Sequence, residues 1–268
     1  MVVHSVKHYP QHWLIRNHWR LKRFIPDRYF AFRYPGGRIY WNPKHSPGML
    51  ARALGLYEND KMDAVFRLLK PSATFIDVGG NVGDYSLLAA RIIGETGRVI
   101  CFEPEPTNCH WIERSIELNG YRNISLYALA LSDVSGEASL YLGTQCGFHS
   151  LLKDQPERQA GVIQVKTRTL DSVLHEIGWG TVDMMKIDVE GAELQVLRGA
   201  RGTLEMNPQV ILLLELHPSM GVDPGEVCDF LRGQGFGLFE VSFPFNKPLE
   251  INSHVRELMA RRTSSRGE

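Results

Sequence analysis

The sequence lacks any long apolar run. A membrane span needs about 18 consecutive apolar residues, whereas the longest candidate, residues 210–216, has the length of a β-strand and contains Glu215. Residues 1–8 do not develop the apolar core of a secretory signal peptide. We therefore expect a soluble, cytoplasmic protein with no membrane span.

The cysteines lack the spacing of a metal or redox motif. Cys101, Cys109, Cys146 and Cys228 are 8, 37 and 82 residues apart, and no two of them form a C-x-x-C pair. Structural zinc sites and thioredoxin-like motifs are built on such pairs. We expect reduced and partly buried thiols.

An excess of one charge is also lacking, because 30 basic and 30 acidic residues cancel. A protein that mainly neutralises nucleic-acid phosphates would be basic, so no nucleic-acid partner is expected. The charges are unevenly spread, since residues 1–50 hold nine Lys or Arg and a single acid, Asp27. Residues 1–70 are therefore interpreted as a basic, aromatic N-terminal extension with a helix and a short hairpin.

From residue 71 onward, strand-sized apolar runs alternate with segments of helical period. This alternation predicts βαβ crossovers and a doubly wound, mostly parallel α/β sheet. The predicted strands are 74–78, 98–102, 124–131, 184–189, 210–216 and 237–241, with two more at 137–142 and 162–167, and the predicted helices are 85–93, 107–118, 192–204 and 226–231. The main domain is assigned to residues 71–252 and a basic C-terminal tail to residues 253–268.

A glycine-rich turn follows the first predicted strand, in Asp77-Val-Gly-Gly-Asn-Val-Gly-Asp-Tyr-Ser86. Such a turn lies where an open α/β sheet binds a nucleotide-like ligand. A dinucleotide fingerprint that begins at Gly79 requires two more glycines, where this sequence has Asn81 and Asp84. The acid at Asp77 would repel a diphosphate but suits a cationic ligand such as S-adenosylmethionine.

The next two strands also end in acidic residues. Glu103, in Phe102-Glu-Pro104, is placed to accept both hydroxyls of a ribose, and its alternative interpretation is a solvated loop acid. Asp133, which follows Ser132 after the third predicted strand, either accepts from an adenine amino group or opens a turn. These positions predict that the carboxyl edge of the sheet binds a nucleoside.

The most specific stretch is 185–193, where Lys186, Asp188 and Glu190 alternate out of an apolar strand. Charged groups are costly to bury unpaired, so we expect them to face the site or one another. Glu215 and His217 follow the next strand and would lie nearby if the two strands are neighbours. The set Asp188, Glu190, Glu215 and His217 suits a divalent metal, although helix capping and hydrogen bonding explain it as well and are favoured.

Taken in order, these motifs resemble those of FkbM-type S-adenosylmethionine-dependent methyltransferases, together with Ala130-Leu-Ser-Asp133, His149-Ser150 and Thr169-Leu-Asp171. The resemblance covers residues 72–217 and implies a class I, Rossmann-like methyltransferase fold. It also implies S-adenosylmethionine as cofactor and methylation of a hydroxyl on a sugar, polyketide or similar metabolite. Gly80 departs from the family, which usually has Ala there. The cofactor-binding residues assigned on this basis are Asp77, Gly79, Gly80, Asn81, Gly83, Tyr85, Ser86, Glu103, Pro104, Ser132 and Asp133.

Methyl transfer to a hydroxyl requires alignment of the reactants and removal of the hydroxyl proton. The predicted catalytic residues are Asp188, His149 and Lys186, with Asp188 ranked first as the base and His149 and His217 as further candidates. The expected partner is a small-molecule hydroxyl acceptor. The basic N-terminal extension is predicted to cap the acceptor side and to favour an anionic or phosphorylated acceptor, or to dock on an acidic partner, and its alternative interpretation is a structural cover.

Two other function classes stay open at the level of sequence. A nicotinamide-dependent oxidoreductase would use Glu103 in the same way, but the broken glycine fingerprint disfavours it. A non-catalytic binding protein with a vestigial methyltransferase fold would act through its basic N-terminus. Binding of S-adenosylhomocysteine but not of NAD separates the first alternative from the methyltransferase, and acceptor-dependent turnover separates the second.

Overall fold

The structure is a computed structural model that describes residues 27–44, 60–143, 149–152 and 159–262. Its strands are β1 Phe30–Tyr34, β2 Gly37–Trp41, β3 Thr74–Val78, β4 Arg98–Phe102, β5 Ile124–Tyr127, β6 Ala130–Leu131, β7 Gly136–Gly143, β8 Gln159–Arg168, β9 Met184–Ile187, β10 Ile211–Glu215, β11 Gly237–Phe239 and β12 Glu257–Arg261. Its helices are α1 Asp60–Leu68, α2 Asp84–Ile93, α3 Pro106–Asn119, α4 Leu170–Glu176, α5 Glu193–Gly199, α6 Arg201–Met206 and α7 Pro224–Gly233, with a 3₁₀ turn at Pro218–Met220.

Seven strands form the central sheet in the order β11-β12-β10-β9-β3-β4-β5. All contacts from β10 to β5 are parallel. The central strands β3, β4 and β9 are buried along nearly their whole length, as expected for a parallel sheet covered by helices. The first strand of this sheet along the sequence is β3, in its middle. The chain then runs outward through β4 and β5 and returns to β9 on the other side of β3. The predicted doubly wound α/β fold is confirmed.

The reversal between β3 and β9 places a crevice at the carboxyl ends of these two strands. Their register sets Asp77 beside Lys186. Helix α3 begins beside the crevice, because Pro106 occupies its first turn and the Glu105 side chain accepts from the Asn108 backbone N–H at 2.7 Å. The pair Glu105-Pro106 therefore starts helix α3 shortly after the end of β4.

The sequence assigns residues 253–268 to a tail, whereas the structure places part of them inside the sheet. Strand β12 lies antiparallel between β10 and β11, with Leu213 opposite Met259 and Leu238 opposite Ala260. Its core, Leu258 to Ala260, is fully buried. The sequence does not predict this strand, because its apolar run is short and flanked by basic residues. Its partner strands are also distant in sequence.

Two further element boundaries differ from the prediction. The predicted strand 124–131 is broken at a tight turn, where the Leu129 backbone N–H donates to the Tyr127 carbonyl at 2.9 Å. Beyond this turn, β6 joins β7 and β8 in a separate three-stranded sheet. The predicted helix 192–204 is split at Ala200, because the Asp171 carboxylate accepts from the backbone N–H groups of Gly202 and Thr203 and so caps a second helix.

The hairpin of the N-terminal extension, β1 and β2, packs against the outside of α2 and α3. Ile39 and Trp41 are fully buried among Val82, Leu87 and Trp111. The described hairpin therefore covers the outer face of these helices. The other parts of the extension that is predicted to form the cap, residues 1–26 and 45–59, lie outside the described residues.

Other predictions from composition are consistent with the described residues. Cys101, Cys109 and Cys228 are buried free thiols, and Cys146 lies outside the described residues. Among the described helices, none has the length and apolarity needed to span a bilayer.

Docking of the hairpin should contribute measurably to stability. We expect Trp41→Ala to lower the free energy of unfolding by about 3–5 kcal/mol, because it removes a fully buried indole and leaves a cavity. Urea denaturation checks this, with Phe66→Ala as the control, since Phe66 is 65% exposed and its loss should change stability by about 0.5 kcal/mol or less. Equal stabilities of the two variants would show that the hairpin does not dock.

Candidate functional site

A cleft opens at the carboxyl ends of β3, β4 and β9. One wall is apolar and the other carries carboxylates and amides. Its lining residues are Val78, Gly79, Asn81, Phe102, Glu103, Pro104, Asn108, Leu129, Ala130, Leu131, Leu140, His149, Leu151, Asp188, Val189 and Glu190. Of the residues predicted from sequence, Gly79, Asn81, Glu103, Pro104, His149, Asp188 and Glu190 therefore line the cleft.

The glycines of the turn face protein atoms. A side chain at Gly79 would collide with the carbonyl of Asp188, and Gly79 also has a left-handed φ of +79°. A side chain at Gly80 would collide with the sulfur of Cys101. Gly80, the departure from the family pattern, is thus matched by a cysteine that fills the space of the missing methyl group.

Glu103 is buried at the cleft wall with both carboxylate oxygens engaged. One oxygen accepts from the Asn81 backbone N–H at 2.7 Å, and the other accepts from the Glu105 backbone N–H at 2.9 Å and from the Asn108 side chain at 3.3 Å. Burial raises the pKa of Glu103 to about 7, against the lowering effect of these hydrogen bonds. The orientation of the carboxylate is therefore fixed by the turn and by α3.

Two amide oxygens beside Glu103 are buried without a hydrogen-bond partner among the described residues. They belong to Asn81 and Asn108, both of which line the cleft. Buried polar atoms are normally satisfied, and the Asn108 amide is oriented by its donation to Glu103. These oxygens are consequently available to donors on a ligand.

Asp77 lies behind the cleft wall and is fully buried. Its carboxylate accepts from Ser86 Oγ at 2.7 Å and lies 3.6 Å from Lys186 Nζ. Burial raises the pKa of Asp77, and the Lys186 charge opposes this shift. Asp77, Gly80, Gly83, Tyr85, Ser86 and Lys186 are therefore placed to support the turn rather than to line the cleft.

Lys186 connects the two central strands. Its ammonium donates to the Gly79 carbonyl at 2.8 Å and lies 3.5 Å from Asp188 Oδ2 as well as 3.6 Å from Asp77 Oδ1. Burial lowers the pKa of Lys186, but the surrounding carboxylates outweigh burial and raise it. Lys186 is thus a fixed cation and not a proton acceptor.

Asp188 lies close to three basic side chains. Lys186 and Lys61 both approach Oδ2, at 3.5 and 4.0 Å, and Oδ1 lies 3.8 Å from His217 Nε2. Burial alone would raise the pKa of Asp188, but the charges of Lys186, Lys61 and His217 lower it well below its usual range. This environment disfavours proton uptake by Asp188, and its role as the base stays a prediction.

His217 lies between cleft-facing and buried carboxylates. Its Nδ1 is 2.7 Å from Glu193 Oε1, and its Nε2 is 3.3 Å from Glu190 Oε2. Burial lowers the pKa of His217, but the hydrogen bond to Glu193 and the charges of the nearby acids raise it to about 9. Glu190, also near Asp188 and Glu215, has a pKa raised by burial to about 8.

His149 covers the cleft from the segment 149–152. Its Nδ1 accepts from the Gly143 backbone N–H at 3.1 Å, so the neutral ring carries its proton on Nε2. Burial also lowers the pKa of His149. In this arrangement His149 is a hydrogen-bond donor towards a ligand, and its predicted role as a base would need the Gly143 contact to break.

Ser132 and Asp133 lie outside the lining of the cleft, and Ser132 Oγ is only 3.2 Å from Asp133 itself. The reason is the early end of β5, which leaves Leu129 and Ala130 at the cleft in their place. Thr169 and Asp171 serve as helix caps.

Sequence reasoning missed Lys61, Asn108 and Glu257. Lys61 comes from α1, is fully buried, and forms ion pairs with Glu215 and Glu257 in addition to Asp188. Burial lowers the pKa of Lys61, and the three acids together raise it. No local motif marks these residues, although Asn108 could have been found from the helix start that follows Glu103-Pro104.

The strand order and the cleft at its reversal point define a Rossmann-like methyltransferase domain. The profile of the Methyltransferase FkbM domain matches residues 77–238, which is more than half of the chain. The chain belongs to the FkbM methyltransferase family, and the resemblance noted in the sequence is confirmed.

Named relatives match over part of their length. The hexuronic acid methyltransferase AglP of Haloferax volcanii is 32% identical over 158 residues, which are 58% of this chain and 59% of AglP. The 2-O-methyltransferase NoeI of Sinorhizobium fredii is 26% identical over 151 residues, 51% of this chain and 61% of NoeI. The AMB antimetabolite synthetase AmbE of Pseudomonas aeruginosa is 29% identical over 228 residues, 68% of this chain but 10% of AmbE.

The ion pairs of Lys186 should be essential to the fold. We expect Lys186→Met to destabilise the protein by about 3–5 kcal/mol, because Asp77 and Asp188 would lose their buried counter-charge. Lys166→Met is the matched control, since Lys166 is exposed on β8. Urea denaturation of both variants tests this, and a Lys186→Met variant as stable as the control would contradict the proposed role of the ammonium.

Proposed function

We propose that this protein transfers the methyl group of S-adenosylmethionine to a hydroxyl oxygen of a small, sugar-like metabolite. The observation that carries the proposal is the Glu103 carboxylate, fixed in the cleft wall beside two unpartnered amide oxygens. Membership of the FkbM family supports it. The cytoplasmic location predicted from the sequence stays a prediction.

The residues on the polar side of the cleft fit the ribose and the cationic end of the donor. The Glu103 oxygen that accepts from the Asn81 backbone N–H has a second lone pair, so it can also accept from a ribose hydroxyl. The carbonyl oxygens of Asn81 and Asn108 can accept from hydroxyl or ammonium groups. Asp77 would favour a cationic donor only at a distance, because its carboxylate is already committed to Ser86 and Lys186.

The opposite wall suits an adenine ring. Phe102, Leu129, Leu131, Leu140 and Leu151 line it and offer apolar contacts. His149, as an Nε2–H donor over this wall, can donate to a ring nitrogen or to an acceptor oxygen. Most ligand sites share this design, in which apolar surface supplies affinity and a few polar groups set orientation.

The proposed reaction breaks the bond between the sulfonium sulfur and its methyl carbon and forms a bond from that carbon to the acceptor oxygen. The electron pair of the broken bond stays on the sulfur, a lone pair of the acceptor oxygen forms the new bond, and the hydroxyl proton passes to solvent. The chain contributes chiefly alignment in a closed cleft. Asp188, anchored by Lys186 and Lys61, is suited to hold a donor or acceptor group in place rather than to take up the proton.

The acceptor class is inferred from the relatives. The names of AglP and NoeI describe a hexuronic acid methyltransferase and a 2-O-methyltransferase, which favours a hydroxylated, sugar-like acceptor here. The chain spans about 60% of the length of these two proteins, so acceptor specificity is part of the proposal. The N-terminal extension is proposed to contribute to it through residues beyond the hairpin.

A nicotinamide-dependent oxidoreductase is the alternative to exclude. The decisive assay offers the purified protein labelled S-adenosylmethionine with a panel of hydroxylated sugars and uronic acids, and measures S-adenosylhomocysteine and NAD binding by calorimetry in parallel. Acceptor-dependent transfer of label supports the proposal. Binding of NAD with no binding of S-adenosylhomocysteine would refute it, and binding of S-adenosylhomocysteine with no turnover on any acceptor would favour a vestigial enzyme.

Glu103 should dominate donor binding. We expect Glu103→Ala to weaken S-adenosylhomocysteine binding by about 1–3 kcal/mol, because hydrogen bonds to a charged acceptor are lost. Glu105→Ala is the matched control: Glu105 is also buried, but its carboxylate caps α3 and does not line the cleft. It should lose stability while keeping donor affinity. Unchanged affinity in a folded Glu103→Ala protein would remove Glu103 from the donor site.

A further inference from the structure

Three ligand-type atoms converge on one point at the cleft floor. One oxygen each of Asp188 and Glu190 and one ring nitrogen of His217 all lie within 4.8 Å of one another. Metal–ligand bonds to carboxylate oxygen and imidazole nitrogen are about 2.0–2.2 Å long, so atoms that share an ion lie about 3–4.4 Å apart. His217 Nε2 is 3.3 Å from Glu190 Oε2 and 3.8 Å from Asp188 Oδ1.

Within the described residues, His217 Nε2 makes no hydrogen bond to any of these oxygens, although the residue is 9% exposed. The ring nitrogen lies near both carboxylates, 3.3 Å from Glu190 Oε2 and 3.8 Å from Asp188 Oδ1. A protonated ring that served only as a counter-ion would be expected to direct its N–H at an oxygen. A cation between the ring nitrogen and the two carboxylates accounts for this geometry.

Other contacts fix the side chains of Asp188, Glu215 and His217 on the side away from the point where the three ligand-type atoms converge. Lys186 and Lys61 both approach Asp188 Oδ2, and Lys61 pairs with Glu215 Oε2, so Asp188 Oδ1 and Glu215 Oε1 are turned towards His217. On the other side, His217 Nδ1 is hydrogen-bonded to Glu193, which is fully buried. A carboxylate that fixes the far nitrogen of a histidine is the usual outer shell of a metal site.

From this arrangement we propose that Asp188, Glu190 and His217 bind a divalent first-row transition-metal cation, with Glu215 close enough to contribute through water. One imidazole with two carboxylates suits Mn²⁺, Fe²⁺ or Zn²⁺ better than Ca²⁺. The sequence had weighed this set and favoured capping and hydrogen bonding. Three contacts favour the cation site instead: the ion pairs of Lys61 and Lys186 with Asp188, the contact of His217 with Glu193, and the position of Nε2 near both carboxylates.

The site deepens the proposed function and rests on it for its role. Asp188 and Glu190 line the cleft, so three protein ligands leave coordination positions open towards the acceptor, as in catalytic metal centres. An acceptor hydroxyl bound there would lose its proton to solvent more readily, since bound cations lower the pKa of coordinated oxygen acids. Methyl transfer would then proceed without a strong side-chain base.

The test is binding of Mn²⁺ to the full chain after removal of metals with a chelator, followed by electron paramagnetic resonance and calorimetry. We expect one Mn²⁺ per chain, displaced by Zn²⁺. His217→Gln should weaken Mn²⁺ binding at least about tenfold, and Glu193→Gln about 10–100-fold, because outer-shell partners have effects of that size. His175→Gln, which alters an exposed histidine on α4, should leave Mn²⁺ binding unchanged.

Each variant is checked for folding by circular dichroism and for S-adenosylhomocysteine binding. If His217→Gln does not fold, Glu190→Gln replaces it with the same expected loss of Mn²⁺ affinity. Absence of Mn²⁺ and Zn²⁺ binding in the unaltered protein, or equal binding in a folded His217→Gln or Glu190→Gln variant, would overturn the proposal.

The metal site and the proposed function fail in distinguishable ways. Turnover that persists in excess chelator, with normal S-adenosylhomocysteine binding, overturns the metal site and leaves the methyltransferase intact. Mn²⁺ binding that depends on His217, with no affinity for S-adenosylhomocysteine, supports the cation site and refutes the donor assignment.

Discussion

The structure depends on one buried ammonium group, that of Lys186, at the point where the sheet reverses direction. It joins the carboxylates of Asp77 and Asp188 and the carbonyl of Gly79, which belong to the ends of two neighbouring strands. In a low-dielectric interior none of these charges is tolerable alone. The turn after β3 and the loop after β9 are therefore locked together, and the cleft between them has a defined shape.

Much of the site follows from sequence because parallel strands deliver their carboxyl ends to one edge. Once β3, β4 and β9 are identified as strands, the residues that follow them must meet, whatever the intervening helices do. Asn81, Glu103 and Asp188 lie at the cleft for this reason. The same logic placed His217 near Asp188, since β10 is the neighbour of β9.

The differences between the predicted and the observed elements have local and long-range causes. The predicted strand 124–131 continues an apolar run through a turn that only a backbone hydrogen bond at Tyr127 reveals, so Ser132 and Asp133 do not directly follow β5. Strand β12 and Lys61 could not be found at all, because a short apolar run and an ordinary helical lysine acquire their meaning from partners that are distant in sequence. The periodicity of apolar residues shows which face of a segment is buried. It does not show which distant residues pack against that face.

The predicted proton acceptors, which stay predictions, meet an electrostatic conflict in the structure. A carboxylate can be held firmly in place by lysines or can be a good base, but the same cations that orient Asp188 also lower its pKa. His149 meets a similar conflict, since the Gly143 contact that orients the ring uses the lone pair a base would need. Positioning and basicity are thus opposing demands on each group.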